Sequence, residues 1–310
     1  MTIAAAWTRN LKGCHELVLV TDSRLSGDGR TFDACTKVIT LPREDCAMAF
    51  AGFSGHGYPM MQQVSQAIDA HAPLKRGSLD VVEVKSHILK IFDGMADSIR
   101  SSERVSSPTD ITPEAEFIFG GYSWKSKEFK IWHIRYSRIA GRFEAHPPAS
   151  IRKVPHVGGY RLGTAGQNGE TVIDAQVVFI GDQAKNCKKL FLELLSKRDN
   201  LSHLDMEPFE VIRDMLRNSR KSETIGGAPQ IVKVYQYMKS APLGVFWPDK
   251  GTGRLHLHGR QCLGYERIDR WILDPDTLQS QQADPISDFG KDNKTADTVS
   301  NDGDDFEALT

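Results

Sequence analysis

Thr2-Ile3-Ala4-Ala5-Ala6-Trp7, Glu16-Leu17-Val18-Leu19-Val20-Thr21, Lys37-Val38-Ile39-Thr40-Leu41 and Cys46-Ala47-Met48-Ala49-Phe50-Ala51 are the runs whose reading decides the fold. Each is short and carries β-branched or small apolar residues. Turn formers separate them, at Gly13, Gly27-Asp28-Gly29 and Pro42. Such runs between such breaks read as paired strands. The pattern therefore predicts an antiparallel sheet that begins at residue 2. Polar residues stand at the strand ends: Thr21-Asp22-Ser23-Arg24 closes the second run, Thr36-Lys37 opens the third, and Phe50-Ala51-Gly52 ends the fourth.

The first strand opens on a chemically unusual residue. Thr2 follows the initiator methionine, and removal of Met1 would leave one residue carrying both a hydroxyl and a free amine. An unperturbed α-amine titrates near pH ~7.7–8, so part of it is neutral at physiological pH. It can then take the hydroxyl proton, the task a histidine performs in other hydrolases.

These four elements, in this order and spacing, resemble a proteasome β-type subunit, with the bacterial peptidase HslV and the Anbu proteins as near relatives. The likeness rests on an N-terminal Thr-Ile strand, Asp-Ser-Arg after the second strand, Lys-Val-Ile after a short loop and Phe-Ala-Gly before a helix. Taken singly, Asp22 reads as a turn cap, Lys37 as a solvated strand residue and Gly52 as a helix start; the ordered set carries the resemblance. It implies an N-terminal nucleophile hydrolase, with Thr2 as nucleophile and its own amine as base. Lys37 would lower the pKa of the threonine oxygen, Asp22 would hold that lysine, and the backbone N–H of Gly52 would serve an oxyanion hole. Thr164, within Tyr160-Arg161-Leu162-Gly163-Thr164-Ala165-Gly166, would stand where the family keeps a serine that supports the terminal amine. The family's Asp-x-x-Ser-Gly-Gly stretch has only Ser222-Glu223-Thr224-Ile225-Gly226-Gly227 as its counterpart. Aligning the glycines places Ser222 at the aspartate and Ile225 at the serine; Glu223 restores the charge if the loop shifts by one. Leu25, Ser26, Cys35, Ile39 and Phe50 hold the positions that line the family's substrate pocket, and the strand after Asp22 would pair with an extended peptide. The pocket they imply suits small-to-medium apolar residues. Met1 removal would be the only maturation step.

The remaining chain fits the expectation of an α+β, four-layer αββα sandwich of the N-terminal nucleophile type. Glu116–Tyr122 and Glu128–Arg135 read as a hairpin, and Gln230–Tyr237 and Leu243–Trp247 as closing strands. Tyr58, Met61, Val64 and Ile68 recur at helical spacing, as do Val81, Val84, Ile88, Phe92, Met95 and Ile99. Two further helical regions are read at Thr171–Lys197, broken at Gly181-Asp182, and from Pro208 to Leu216. Arg100–Pro113 and Ala140–Val157 read as long loops.

Of the 310 residues, 40% are hydrophobic and 25% charged, and no apolar run approaches the about 18 residues that would span a bilayer. The five cysteines are odd in number and scattered, which points to reduced thiols, a cytoplasmic setting and no zinc spacing. His256-Leu257-His258 lacks further ligands, so neither a metal nor a cofactor is expected. From Pro275 the chain holds nine acidic and two basic residues, a charge of −7 that leaves +6 on the body. This divides it into a hydrolase domain over 1–274 and an acidic, unstructured tail over 275–310. Arg213, Arg217, Arg220 and Lys221 cluster without interleaved aromatics, so no nucleic-acid surface is expected. The expected partners are a peptide or unfolded protein, further copies of the chain in a ring or stacked arc, and an ATP-dependent unfoldase. Two alternatives stay open: an inactive proteasome-like scaffold, and an amidase acting on a small-molecule amide.

Overall fold

The first strands form where the alternation places them. A computed structural model describes residues 2–11, 14–27, 29–99, 112–154, 159–163, 171–198, 202–237, 239–251 and 254–282. Strands β1 (Ala4–Leu11) and β2 (Cys14–Thr21) pair antiparallel, Ala4 opposite Thr21. A small hairpin, β3 (Leu25–Gly27) with β4 (Arg30–Phe32), precedes β5 (Val38–Thr40) and β6 (Cys46–Gly52). Helices α1 (Ser54–Ala70), α2 (Ala72–Lys75) and α3 (Val81–Ala96) follow, the last capped by the Asp80 carboxylate on the Val82 amide. Then come β7 (Ala115–Ser123), β8 (Glu128–Ser137), β9 (Arg142–His146), β10 (Ala149–Lys153), β11 (Tyr160–Gly163) and β12 (Thr171–Ile180). The chain continues through α4 (Ala184–Ser196), α5 (Glu207–Arg217), β13 (Gln230–Tyr235), β14 (Lys239–Trp247), β15 (Arg254–Leu257), β16 (Arg260–Gln261), β17 (Trp271–Leu273) and β18 (Ser280–Gln282).

Two sheets dominate. One has eleven strands, running β11-β10-β12-β1-β2-β13-β14-β15-β16 with β17 and β18 beside β14; the other has five, β5 through β9 in sequence order. Strand β1 shows why it must be covered on both faces. Ala4 and Ala6 point to a cluster that also holds Leu17 and Leu19 of β2 and, from the second sheet, Ala47, Ala49, Ala51 and Ile118. Ile3, Ala5 and Trp7 point the other way, among Phe179, Phe191, Phe209 and Ile212. The period of two puts alternate residues on opposite faces, and the small alanines let the two sheets approach. On the far side of the five-stranded sheet, Phe50, Phe117 and Phe119 pack with Met61, Val64, Val84 and Phe92 of α1 and α3.

The expected four-layer αββα sandwich is corrected by these elements. Among the described residues strand outweighs helix, 40% against 25%, with five helices and large antiparallel sheets, so the chain is mostly β. The difference has specific sources. Thr171–Ile180, read as helical from Val172, Ala175, Val178 and Phe179, is strand β12, whose odd residues Ile173, Ala175, Val177 and Phe179 share one face. Its β-branched composition outweighs an accidental three-residue spacing. Ala140–Val157, read as a loop, contributes β9 and β10, and the segment beyond Trp247 adds four short strands. Residues 100–111 of the other long loop lie outside the described residues. So does the tail from 283 onward, whereas Ser280–Gln282 of the stretch assigned to the tail pair with β17. Among the described residues, no helix is long and apolar enough to cross a membrane.

Candidate active site

Six chain ends meet at one end of the two sheets. The start of β1 lies beside the end of β2 and the end of β12, since Ala4 faces both Thr21 and Ile180. The start of β13 joins them, with Gln230 opposite Thr21. The second sheet brings the start of β5 and the end of β6. Residues at or near strand ends are thereby collected from positions 2, 22, 37, 52 and 182 of the sequence, and residue 224 joins them from the loop before β13.

Three of the expected residues converge. Lys37 Nζ donates to Thr2 Oγ1 at 2.8 Å and to Asp22 Oδ1 at 2.9 Å. Thr2, Asp22 and Lys37 are all fully buried. Asp22 Oδ1 also accepts from the Ile3 amide at 3.2 Å, and Oδ2 accepts from the amides of Arg24 at 3.1 Å and Gly226 at 3.3 Å. Burial pushes the Asp22 carboxyl up, and Lys37 and the Ile3 and Arg24 amides oppose that push. Burial likewise pushes Lys37 below the ordinary lysine value, against the pull of Asp22. The Lys37 backbone is pinned too: its amide donates to Gln230 Oε1 at 3.0 Å, while Gln230 Nε2 donates to the Asp22 and Cys35 carbonyls at 3.2 and 2.5 Å.

The Asp22-Ser23-Arg24 run has a structural logic of its own. Ser23 Oγ donates to the Asp33 carbonyl at 2.9 Å. Arg24 grips the Asp33 carboxylate through Nε at 2.6 Å and Nη2 at 2.7 Å, and its Nη1 donates to the carbonyls of Arg220 and Ile225 at 2.7 and 3.0 Å. The loop before β13 is thus wound around one guanidinium. This explains Gly226-Gly227: a Cβ on Gly226 would lie 2.3 Å from Arg24 Cζ, and one on Gly227, at φ +72°, 2.2 Å from Ser23 Oγ.

The support for the Thr2 nitrogen is where the site departs from expectation. Ser222 and Glu223 are exposed on the turn, and it is the Thr224 side chain that reaches the partner of the Thr2 nitrogen. Its Oγ1 donates to Asp182 Oδ2 at 2.5 Å, and Asp182 Oδ1 accepts from the Thr2 nitrogen at 2.6 Å. With Met1 attached that nitrogen is a peptide amide. Asp182 was legible only as a chain break after Gly181; its sole further signal is an acidic residue directly behind the apolar strand β12. Thr164 lies outside the described residues. Gly52 has φ +101°, with the Glu114 carbonyl 2.3 Å from where a Cβ would stand, so glycine is required there. Its neighbour Ala51 has its Cβ 3.4 Å from the place a Cβ on Gly181 would occupy, which sets the end of β6 against the Thr2–Gly181 contact.

The residues expected to line a pocket divide. Leu25 and Ser26 lie half-buried on β3. Phe50 is fully buried, edge-to-face with Tyr58 at 4.8 Å, and Ile39 packs against the same cluster. Cys35 is buried, and burial pushes its thiol up, away from nucleophilic use. The arrangement sets a hydroxyl against a desolvated lysine and a chain nitrogen against a carboxylate. No protein-family model matches the chain, and no curated protein matches it.

Proposed function

We propose that the protein is a threonine-type peptidase whose nucleophile is Thr2 Oγ1, used after Met1 is removed. The observation that carries this reading is the Lys37 Nζ contact to Thr2 Oγ1 at 2.8 Å, with Asp22 at 2.9 Å behind it. Thr2 Oγ1 attacks the carbonyl carbon of a peptide bond, and the hydroxyl proton passes to the Thr2 amine. The oxyanion of the tetrahedral intermediate is met by the Gly52 N–H. Collapse breaks the C–N bond, the leaving amine takes the proton, and an ester on Thr2 remains. Water, deprotonated by the same amine, then hydrolyses that ester. Lys37 acts on the oxygen throughout: as an ammonium it favours the alkoxide, and its burial means that little water competes for that charge. The ring or stacked arc of copies and the ATP-dependent unfoldase belong to this proposal through the resemblance alone.

Thr2 is fully covered in the chain that bears Met1, so the reading requires that trimming open its oxygen. Intact mass of the purified protein, with and without a peptide epoxyketone, tests this. The expected result is loss of Met1 and one adduct, absent from Thr2→Ala. Retained Met1 with no adduct would overturn it and favour the scaffold reading. A single adduct without cleavage of any peptide in a diverse panel would point to the small-molecule amidase.

A further inference from the structure

The Thr2 nitrogen is held by more than a passing contact. Asp182, whose Oδ1 accepts from it at 2.6 Å, is itself fixed at its second oxygen by Thr224 Oγ1 at 2.5 Å. The residue before it is tied down independently. Gly181 has φ +100°, and a Cβ there would lie 1.9 Å from the Thr2 carbonyl oxygen, so bare backbone packs against Thr2 and glycine alone fits. The Gly181 amide donates to Glu116 Oε1 at 2.7 Å, and Glu116 Oε2 meets His133 Nε2 at 2.6 Å. Strands β7 and β8 of the second sheet thereby aim a carboxylate, through Gly181, at Thr2, two residues ahead of β1.

We propose that Asp182 holds the terminal ammonium of Thr2 and thereby sets the pH at which that amine becomes a base, with Glu116 as the positioning residue for the segment that carries it. The inference deepens the reading of Thr2 as nucleophile and rests on it. The nitrogen that Asp182 contacts is the atom that becomes the α-amine on loss of Met1. A carboxylate at that distance favours the protonated amine. Lys37, which donates to Thr2 Oγ1 with Asp22 behind it, favours the neutral amine; Glu116 and His133 lie one residue further off. Asp182 therefore delays the release of the base to higher pH while keeping its lone pair, once free, beside the hydroxyl. The site sets a charge against the amine, so its working range lies on the alkaline side.

The test uses the full chain prepared with Thr2 as its first residue, by cleavage of a removable N-terminal fusion. Labelling of the α-amine by acetic anhydride, followed by mass spectrometry across pH, gives the titration midpoint of that amine whether or not any substrate is turned over. Because Asp182 is partly solvated, the expected change in Asp182→Asn is at the low end of the range for an opposite charge, a midpoint about 1 pH unit lower than wild type. Asp182→Ser serves if the first variant does not fold, with the same expectation, and Asp182→Glu restores the midpoint toward wild type. A midpoint unchanged in both neutral variants would overturn the inference. A lowered midpoint in a protein that forms no epoxyketone adduct would keep the inference and sink the peptidase reading, so the two fail separately.

Discussion

Two fully buried ion pairs stand in the first fifty residues, and only one resembles a reaction centre. Arg43 and Asp45 meet fork to fork, Nε to Oδ1 at 2.5 Å and Nη2 to Oδ2 at 2.6 Å, with Nη2 also on the Leu79 carbonyl at 2.9 Å. Lys37 and Asp22 meet through one contact, and the same ammonium nitrogen reaches a hydroxyl. Side-chain exposure is 0% for all four residues, so burial does not separate the pairs. What separates them is where the cation's remaining hydrogen-bonding capacity goes. In the Arg43 pair Nε and Nη2 close on a carboxylate and a backbone carbonyl, which fixes the turn from β5 into β6, while Nη1 is buried with no partner among the described residues. In the Lys37 pair it is directed at an oxygen that could become a nucleophile.

Replacement of Lys37 by Met should break the comparison most sharply. The epoxyketone adduct rate on Thr2 is expected to fall by roughly 10²–10⁴, the range for a positioned proton-handling group. Arg43→Met, measured on protein confirmed folded, should leave that rate within about twofold. Equal losses in both variants would mean that the Lys37 pair is only another structural clamp.

Stability should rank the pairs differently. Arg43→Met strands a buried carboxylate, and the expected cost is about 3–5 kcal/mol in urea unfolding. Replacing both partners, Arg43→Met with Asp45→Leu, should recover most of that loss, because the desolvation penalty of both charges is removed. In the Asp22 pair, Asp22→Leu with Lys37→Met should be no less stable than wild type and should form no adduct. A double variant at 43 and 45 as unstable as the single one would show that the fork holds the turn through geometry that apolar packing cannot replace.

The sequence disclosed the parts of this site that sit on strongly patterned strands. Thr2, Asp22, Lys37 and Gly52 lie at the ends of four runs whose alternation is legible without any partner, and the first three of them converge. Asp182 and Thr224 were not legible as site residues. They reach Thr2 only because β12 pairs antiparallel with β1, Ile180 opposite Ala4, and β12 itself read as helix. A helix over Thr171–Ile180 would not have brought Asp182 to the start of β1. The same misreading accounts for much of the corrected fold. Glu223 looked like the missing acid because only charge and proximity to Gly226-Gly227 were visible; the winding of that loop around Arg24 turns it outward and Thr224 inward.

The smallest effect concerns the line from the second sheet to Thr2. Burial pushes Glu116 up, but the hydrogen bond and charge of His133, with the Gly181 amide, outweigh it and hold the carboxyl below its ordinary value of 4.5. A depressed carboxyl contributes stability in full above the ordinary value and loses it as pH falls through the folded value. Glu116→Gln removes this contribution. At pH 6.5 the variant should unfold about 2–4 °C below wild type, as expected for about 1 kcal/mol in a chain of this size. As the pH is lowered toward 4 the two melting temperatures should draw together, because wild type loses what the variant never had. A gap that stays constant from pH 6.5 to 4 would mean that Glu116 acts by shape alone. It could then still position Gly181, but the charge on it would carry no part of the connection between His133 and the Thr2 nitrogen.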